Sequence, residues 1–448
     1  MSIYREYDIR GIYGKDLTDE IAESIGRAVA TFIKRKDWPG SVVVGNDIRS
    51  SGPALSKSII KGLISQGVNV IDVGTVSFGV CHFSGLQLKA AVTIFVTASH
   101  LPPEWNGAKI STGEGIPIPP ALLKEIIDEN SYSKPEYTGS VEKADLKKDY
   151  INFMKSKFKF KNKMKIALDC GNGSMSLVAP EVFEAVGFNV TKIFCDVDPT
   201  FPNRPSDPAP ANLKKLAETV KSGNFDFGVA FDGDGDRGVL VDSKGRILTG
   251  NELGVLLARH IFSKEKGKAV ITVPRSLSLE KELKALGAEI IITPVGHTFV
   301  VSKCKDEGAL LGSEESGHTV LPDYFAFDDA LLIPLKAAEI IEETGKGLAE
   351  HYDTFIVYPY EEIVFSCPDT TKFTVVQNLL EEFRGIYDRI TDMDGVRLDF
   401  DDGWILIRAS NTSPKVRLYV EAITREKLDD LKNTFAKVLQ DEIMKVSP

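Results

Sequence analysis

Three stretches of this chain repeat one order of elements, and that repeat limits the possible fold more than any other feature. "SVVVGNDIRSSGPALSKSIIKGLISQGVNVIDVG" reads as an apolar strand, a polar turn, a helix with a 3.6-residue stripe, a glycine and a second strand. "MKIALDCGNGSMSLVAPEVFEAVGFNVTKIFC" has the same order, and so does "KAVITVPRSLSLEKELKALGAEIIITPVG". Each is the size of a βαβ unit, and strands alternating with helices in this way pack as largely parallel sheets. Ligands bind beyond the carboxyl ends of such strands, so the turns holding Asp47, Gly171 and Arg275 are expected to face clefts.

The C-terminal part breaks the pattern. Its strands "GWILIRAS" and "KVRLYVEAI" and a final helix read as a smaller α+β unit. At 448 residues the chain exceeds one hydrophobic core, which agrees with three α/β domains followed by a fourth. The polar, aperiodic "SYSKPEYTGSVEKAD" closes the first domain, and "VDSKGRIL" reads as a hairpin turn near the end of the second. The helical pattern "DDALLIPLKAAEIIEETGKGLAEHY" closes the third. The expected spans are 1–145, 146–248, 249–362 and 363–448.

The net charge of −10 argues against general affinity for nucleic acid or an anionic membrane. Five scattered cysteines, odd in number and without a C-x-x-C pair, suit a reducing compartment. The polar N-terminus shows no signal peptide, and the apolar runs are far shorter than the roughly 20 residues of a membrane span. A cytoplasmic protein is expected.

The strongest local signal is "FDFGVAFDGDGDRG", 225–238, where an apolar strand runs into Asp232, Asp234 and Asp236. Three carboxylates this close repel, and a hard divalent cation is the simplest way to hold them together. The alternating glycines let the loop curl so that the carboxylates converge. An EF-hand is excluded, because Arg237 stands at its glycine position and Ser243 at its glutamate position. A dehalogenase-type phosphotransferase, with Asp232 as nucleophile, also ends a strand in D-x-D, but the following "GD" departs from that pattern.

In "RASNTSPKVRLYVEA", 408–422, short polar side chains and flanking cations make a phosphate-sized anion nest or a plain polar hairpin. "LLGSEESGH", 310–318, sets Glu314, Glu315, Ser316 and His318 together, a set suited to sugar hydroxyls and to a proton near neutral pH. In "TASHLPPEWNGAK", 97–109, Ser99 and His100 are adjacent, but neighbours in extended chain point apart and no G-x-S-x-G elbow is present. A hydrolase couple is therefore not expected there.

Taken in order, "YDIRG" (7–11), "TASHLPPEWNGAK" (97–109), "DGDGDR" (232–237), "GSEESGH" (312–318) and "RASNTSP" (408–414) resemble the α-D-phosphohexomutase family, which includes phosphoglucomutases and phosphomannomutases. The resemblance covers nearly the whole chain. It implies three similar mixed α/β domains around a central cleft, plus a smaller C-terminal α+β domain. It also implies interconversion of hexose 1- and 6-phosphates of mannose or glucose through a bound hexose 1,6-bisphosphate. Ser99 would be a phosphoserine whose phosphate completes a Mg²⁺ shell with Asp232, Asp234 and Asp236.

On the same resemblance, Arg10, His100, Lys109 and Arg237 would surround the phosphoserine. Lys109 and His318 would move protons, while Arg10 and Arg237 steady charge. Glu314 and Ser316 would hold sugar hydroxyls, and His297, in "PVGHTFV", would fall in the loop that reads the sugar. Arg408, Ser410, Asn411 and Thr412 would grip the distal phosphate, with Arg417 nearby. The family usually has asparagine where this chain has Leu101, so a turn-forming side chain is missing there. "YDIRG", "GHTFV" and "RASNTSP" favour the phosphomannomutase/phosphoglucomutase branch over phosphoglucosamine mutase. An inactive sugar-phosphate-binding homologue is the non-enzymatic alternative. The partners implied are small-molecule sugar phosphates.

Overall fold

A computed structural model describes residues 3–5, 8–410 and 414–446 and arranges them as four sheets with flanking helices. In the first sheet Val92–Val96, Val42–Asn46 and Val70–Thr75 run parallel, as the repeat predicts. The short strand Val141–Lys143 extends that parallel set. The opposite edge is antiparallel: Trp105–Thr112 pairs with Val92–Val96, and Ile9–Ile12 pairs with Trp105–Thr112. This reversal sets Arg10 opposite Gly107 and Lys109 opposite Phe95, so two cations come to one strand end. Gly107 permits the pairing, because a Cβ there would lie 1.8 Å from the Ile9 carbonyl oxygen.

The second sheet has the order Ile247–Leu248, Gly238–Asp242, Phe227–Phe231, Lys165–Asp169, Asn189–Ile193. Phe227–Phe231 runs parallel to Lys165–Asp169 and antiparallel to Gly238–Asp242, which makes residues 232–237 a hairpin loop at a strand's carboxyl end. In the third sheet, Glu289–Thr293, Lys268–Thr272 and Leu311–Ser313 are parallel, and Thr319–Val320 returns antiparallel. The loop 314–318 therefore also projects from a strand end.

The fourth sheet is wholly antiparallel and is covered by helices Lys372–Arg384 and Arg425–Val446. Its first strand is Tyr360–Ser366, so the expected break at 362/363 falls within a strand. We place that division before Tyr360. One continuous apolar core links the first three sheets, through Phe95, Leu168, Phe231, Ile271 and Leu335. The fourth has its own core and meets the third through a small cluster of Val273, Trp404, Leu406 and Tyr419. Among the described residues, no helix is long and apolar enough to cross a membrane.

Candidate active site

Ser99 stands just beyond the fully buried strand Val92–Val96 with φ +49°, a left-handed conformation costly for a residue with a Cβ. The Ser99 N–H donates to the Thr97 hydroxyl at 2.8 Å, and the Leu101 N–H closes the turn on the Ala98 carbonyl at 3.0 Å. Arg49 holds the loop from beneath. Its guanidinium donates to the carbonyls of Ser99 (2.9 Å), Leu101 (2.6 Å), Trp105 (3.1 Å) and Pro102, and pairs with buried Asp47 at 3.0 Å. The Ser206 hydroxyl also donates to the Leu101 carbonyl, at 3.1 Å. These contacts use only backbone at position 101, which explains how the loop keeps its shape with a leucine there.

Arg49→Met should therefore be severe, because it leaves the Asp47 carboxylate buried without its cation and frees four carbonyls. Urea unfolding is expected to show a loss of about 3–5 kcal/mol. Arg49→Lys should not restore it, since an ammonium cannot reproduce the planar fork.

Asp232, Asp234 and Asp236 are all fully buried. Asp232 accepts backbone hydrogen bonds from Gly235 (2.9 Å) and Arg237 (3.3 Å), and its other oxygen accepts the Ser99 hydroxyl at 2.8 Å. Gly235 is required at φ +88°, where a Cβ would also strike the Met175 sulfur at 2.3 Å. Lys109 donates to Asp234 at 3.0 Å and to Asp236. The Thr97 hydroxyl lies 2.7 Å from Asp47 and 3.1 Å from Asp234, joining the two loops.

Burial, with Asp236 and Asp234 nearby, pushes the Asp232 carboxyl up to about 8. Asp234 is held low because Lys109 and Arg10 outweigh its burial. Lys109 is in turn held up by Asp234 and Asp236 against its own burial. One oxygen each of Asp234 and Asp236 has no hydrogen-bond partner among the described residues. Converging buried carboxylates with unmatched oxygens are the hard donor set that a Mg²⁺ ion needs.

Arg10 is aimed by Asp8 at 2.7 Å and by the Thr97 carbonyl at 2.8 Å. On the third domain, buried Asp328 lies 2.6 Å from Nδ1 of His318 and 3.3 Å from Nδ1 of His297, and the two rings stack at 5.1 Å. Asp328 outweighs burial at His297 and holds that imidazole above its usual pKa, whereas burial wins at His318 and holds it below. A β-bridge between Arg237 and His318 ties this loop to the aspartate loop. Glu314 accepts the Gly296 N–H at 2.7 Å with one oxygen, while its second oxygen is buried with no partner among the described residues.

A cleft of about 310 Å³ is lined by Arg10, Ser99, His100, Lys109, Arg237, His297, Glu314, Ser316, His318, Arg408, Ser410 and Arg417. All of these come from the sequence motifs, contributed by four separate sheets, and the three aspartates lie beneath Ser99 and Lys109. Arg408 is anchored by Asp394 at 2.7 Å and Arg417 by Glu362 at 2.9 Å. Asn411 and Thr412 lie outside the described residues. A larger cavity of about 440 Å³ sits by the linker 355–360 and holds none of these groups.

Two expectations are corrected. Ser99 and His100 do not point apart: the left-handed Ser99 backbone leaves Oγ 3.3 Å from the His100 Nδ1. Arg237, then desolvation and Arg10, hold the His100 imidazole well below its usual pKa. Arg275 does not line the cleft. It pairs with Glu280 at 2.8 Å and approaches Asp399 of the fourth domain at 3.8 Å, where Ser276 docks on Glu421 at 2.6 Å. Arg49, Thr97 and Asp328 are site-forming residues that the motifs did not single out. The only signal for them was a hydroxyl residue directly after an apolar strand (Thr97), an Asp-x-Arg in the turn after one (Asp47 and Arg49), or an acidic pair ("FDDAL") before a helix.

Four family models match the chain. They are described as phosphoglucomutase/phosphomannomutase alpha/beta/alpha domains I (residues 1–135), II (148–245) and III (249–358) and the C-terminal domain (365–438). The chain is 36% identical over 448 residues to a phosphomannomutase/phosphoglucomutase of Pseudomonas aeruginosa, covering 98% of this chain and 96% of the relative. It is 33% identical to a "Probable phosphoglucosamine mutase" of Methanopyrus kandleri, covering 96% of each. A crystal structure of a phosphoglucomutase/phosphomannomutase family protein from Burkholderia thailandensis superposes with a TM-score of 0.89 at 31% identity, covering 98% and 97% of the two chains.

Proposed function

Since the chain belongs to the phosphoglucomutase/phosphomannomutase family, we propose that it interconverts the 1- and 6-phosphates of glucose or mannose, with Ser99 as the phosphoryl carrier. The observation that carries this reading is the Ser99 hydroxyl, 2.8 Å from buried Asp232 and open on its other side to a cleft ringed by cations. Asp232 itself is fully buried behind Ser99, which disfavours it as the nucleophile of a dehalogenase-type enzyme.

The steps follow from the chemistry. The sugar's 6-hydroxyl attacks phosphorus on phosphorylated Ser99, so an O6–P bond forms and the Oγ–P bond breaks. The proton from O6 ends on the freed Ser99 oxygen. The resulting hexose 1,6-bisphosphate turns over in the cleft and returns its 1-phosphate to Ser99, leaving the 6-phosphate. Asp232, Asp234, Asp236 and the Ser99 oxygen would hold Mg²⁺, which when bound draws charge from the transferring phosphoryl group. Arg10 and Arg237 add fixed positive charge on the cleft side. Arg408, Ser410 and Arg417 would hold the far phosphate, and the unpartnered Glu314 oxygen, with Ser316, would accept or share sugar hydroxyl hydrogens.

His318 is suited to carry the proton, because burial holds its pKa below the usual value and Asp328 orients the ring through Nδ1. Asp328→Asn should lower kcat by about 10²-fold with a smaller, few-fold rise in KM, because His318 loses its orienting carboxylate and His297 in the sugar-reading loop loses the same neighbour. Steady-state kinetics separates the two, and an effect confined to KM would contradict the assignment.

The overall reading is tested with a coupled assay containing Mg²⁺ and a trace of hexose 1,6-bisphosphate. Glucose 1-phosphate or mannose 1-phosphate should turn over fastest. The similarity to the Methanopyrus kandleri chain supports a second reading, and a clear preference for glucosamine 1-phosphate would establish it instead.

A further inference from the structure

Two cysteines that phosphoryl transfer does not use lie against each other beneath the aspartate loop. Cys170 follows strand Lys165–Asp169 and Cys195 lies just beyond strand Asn189–Ile193, and these strands pair in parallel. Residues 25 positions apart thus meet at adjacent strand ends, with their sulfurs 3.1 Å apart and both thiols free. A disulfide needs about 2.05 Å between sulfurs, so an approach of about 1 Å closes it. Cys170 is buried, whereas Cys195 is partly exposed.

The turn after Cys170 is built into the metal loop. The Cys170 carbonyl accepts the Gly173 N–H at 2.9 Å, and the next N–H, of Ser174, donates to the Gly233 carbonyl at 2.9 Å. Gly233 lies between Asp232 and Asp234. Gly173 has no slack, since a Cβ there would sit 2.8 Å from the same carbonyl oxygen. On the other side of Cys170, Asp169 pairs with Arg204 at 3.0 Å, and Arg204 donates to the Phe231 carbonyl at 2.7 Å, immediately before Asp232. A movement at the sulfurs therefore pulls on both ends of the first half of that loop.

We propose that Cys170 and Cys195 form an oxidation site at which a hydroperoxide installs a reversible disulfide, and that this disulfide slows phosphoryl transfer by displacing the 232–234 backbone. The second half of the proposal rests on the mutase reading above; the first does not. The two thiols are unequal: the hydrogen bond with Cys170 holds the Cys195 thiol below its usual pKa, and burial pushes Cys170 up. Cys195 is accordingly the attacking sulfur. Its thiolate takes the terminal oxygen of the peroxide, the O–O bond breaks, and the leaving oxygen picks up a proton as water or an alcohol. Cys170 then attacks the sulfenic sulfur, loses its proton and expels water. The two thiols are oxidised by two electrons and the peroxide is reduced by two; a dithiol reverses the change.

The test treats the full-length protein with hydrogen peroxide and maps unreduced peptides by mass spectrometry, with turnover measured in parallel. A Cys170–Cys195 linked peptide is expected, lighter than its parts by two hydrogens, together with a severalfold loss of turnover that dithiothreitol restores. Cys195→Ser should form no link and keep its turnover in peroxide; Cys170→Ala should form none either. Peroxide-treated protein in which Cys195 becomes sulfinic acid while Cys170 stays a free thiol overturns the site. A linked pair with undiminished turnover overturns the coupling to the metal loop. Absence of turnover before any treatment would count against the mutase reading, with the linkage still read by mass.

Discussion

Ser99→Ala is expected to lower hexose phosphate interconversion by at least about 10⁴-fold while leaving sugar phosphate binding nearly unchanged. In the proposed reading the covalent step forms on the Ser99 oxygen, and among the described residues removing it leaves no second hydroxyl 2.8 Å from Asp232 and facing the cleft. The residues proposed to hold the distal phosphate and the sugar, Glu314, Ser316, Arg408, Ser410 and Arg417, line the cleft from the third and fourth domains, which the change does not touch. The loop should survive, because Arg49 grips carbonyls rather than the serine side chain, and a lost hydrogen bond costs only about 1 kcal/mol. Kinetics and calorimetric titration of a hexose 1-phosphate into the variant check both halves. Retained turnover would move the carrier to Asp232.

The second large effect is expected at Asp234. This carboxylate sits at the junction of both loops, accepting from Lys109 and lying 3.1 Å from the Thr97 hydroxyl. Asp234→Asn keeps the shape but removes a carboxylate charge and one hard oxygen donor from the set proposed to hold the cation. Turnover should fall by about 10²–10³-fold at fixed Mg²⁺. Mg²⁺ affinity measured by titration calorimetry should weaken with it, since an amide oxygen is a poorer partner for a hard cation than a carboxylate. Raising Mg²⁺ should recover part of the loss. Unchanged Mg²⁺ affinity would show that the ion binds elsewhere.

Much of this site was legible because its chemistry is concentrated in short contiguous motifs. Asp232, Asp234 and Asp236 declare a converging acidic loop by spacing alone, and the three βαβ repeats place such loops at strand ends. Arg49 and Asp328 were not legible in the same way. Their partners are carbonyls of residues 99–105 and rings at 297 and 318, contacts that exist only after the sheets assemble. The Ser99–His100 geometry misled because a positive φ at a serine leaves no trace in sequence, whereas the same φ at Gly235 could be anticipated. Cys170 and Cys195 looked scattered for a related reason: parallel pairing joins strand ends far apart in the chain. The division at 362/363 cuts Tyr360–Ser366 because that strand directly follows the third domain's closing helix in the chain, whereas the partner that claims it, Lys415–Ala422, is distant in sequence.

The central claim is that Ser99 carries the phosphoryl group that the sugar receives. The most direct measurement is mass spectrometry of the peptide holding residues 97–109, taken before and after the purified protein meets excess hexose 1-phosphate with Mg²⁺. The account predicts one phosphoryl group on Ser99 in resting protein, transferred to sugar as hexose 1,6-bisphosphate on a single-turnover timescale. A phosphoryl group found on Asp232 instead, or one on Ser99 that substrate never removes while turnover proceeds, would contradict it.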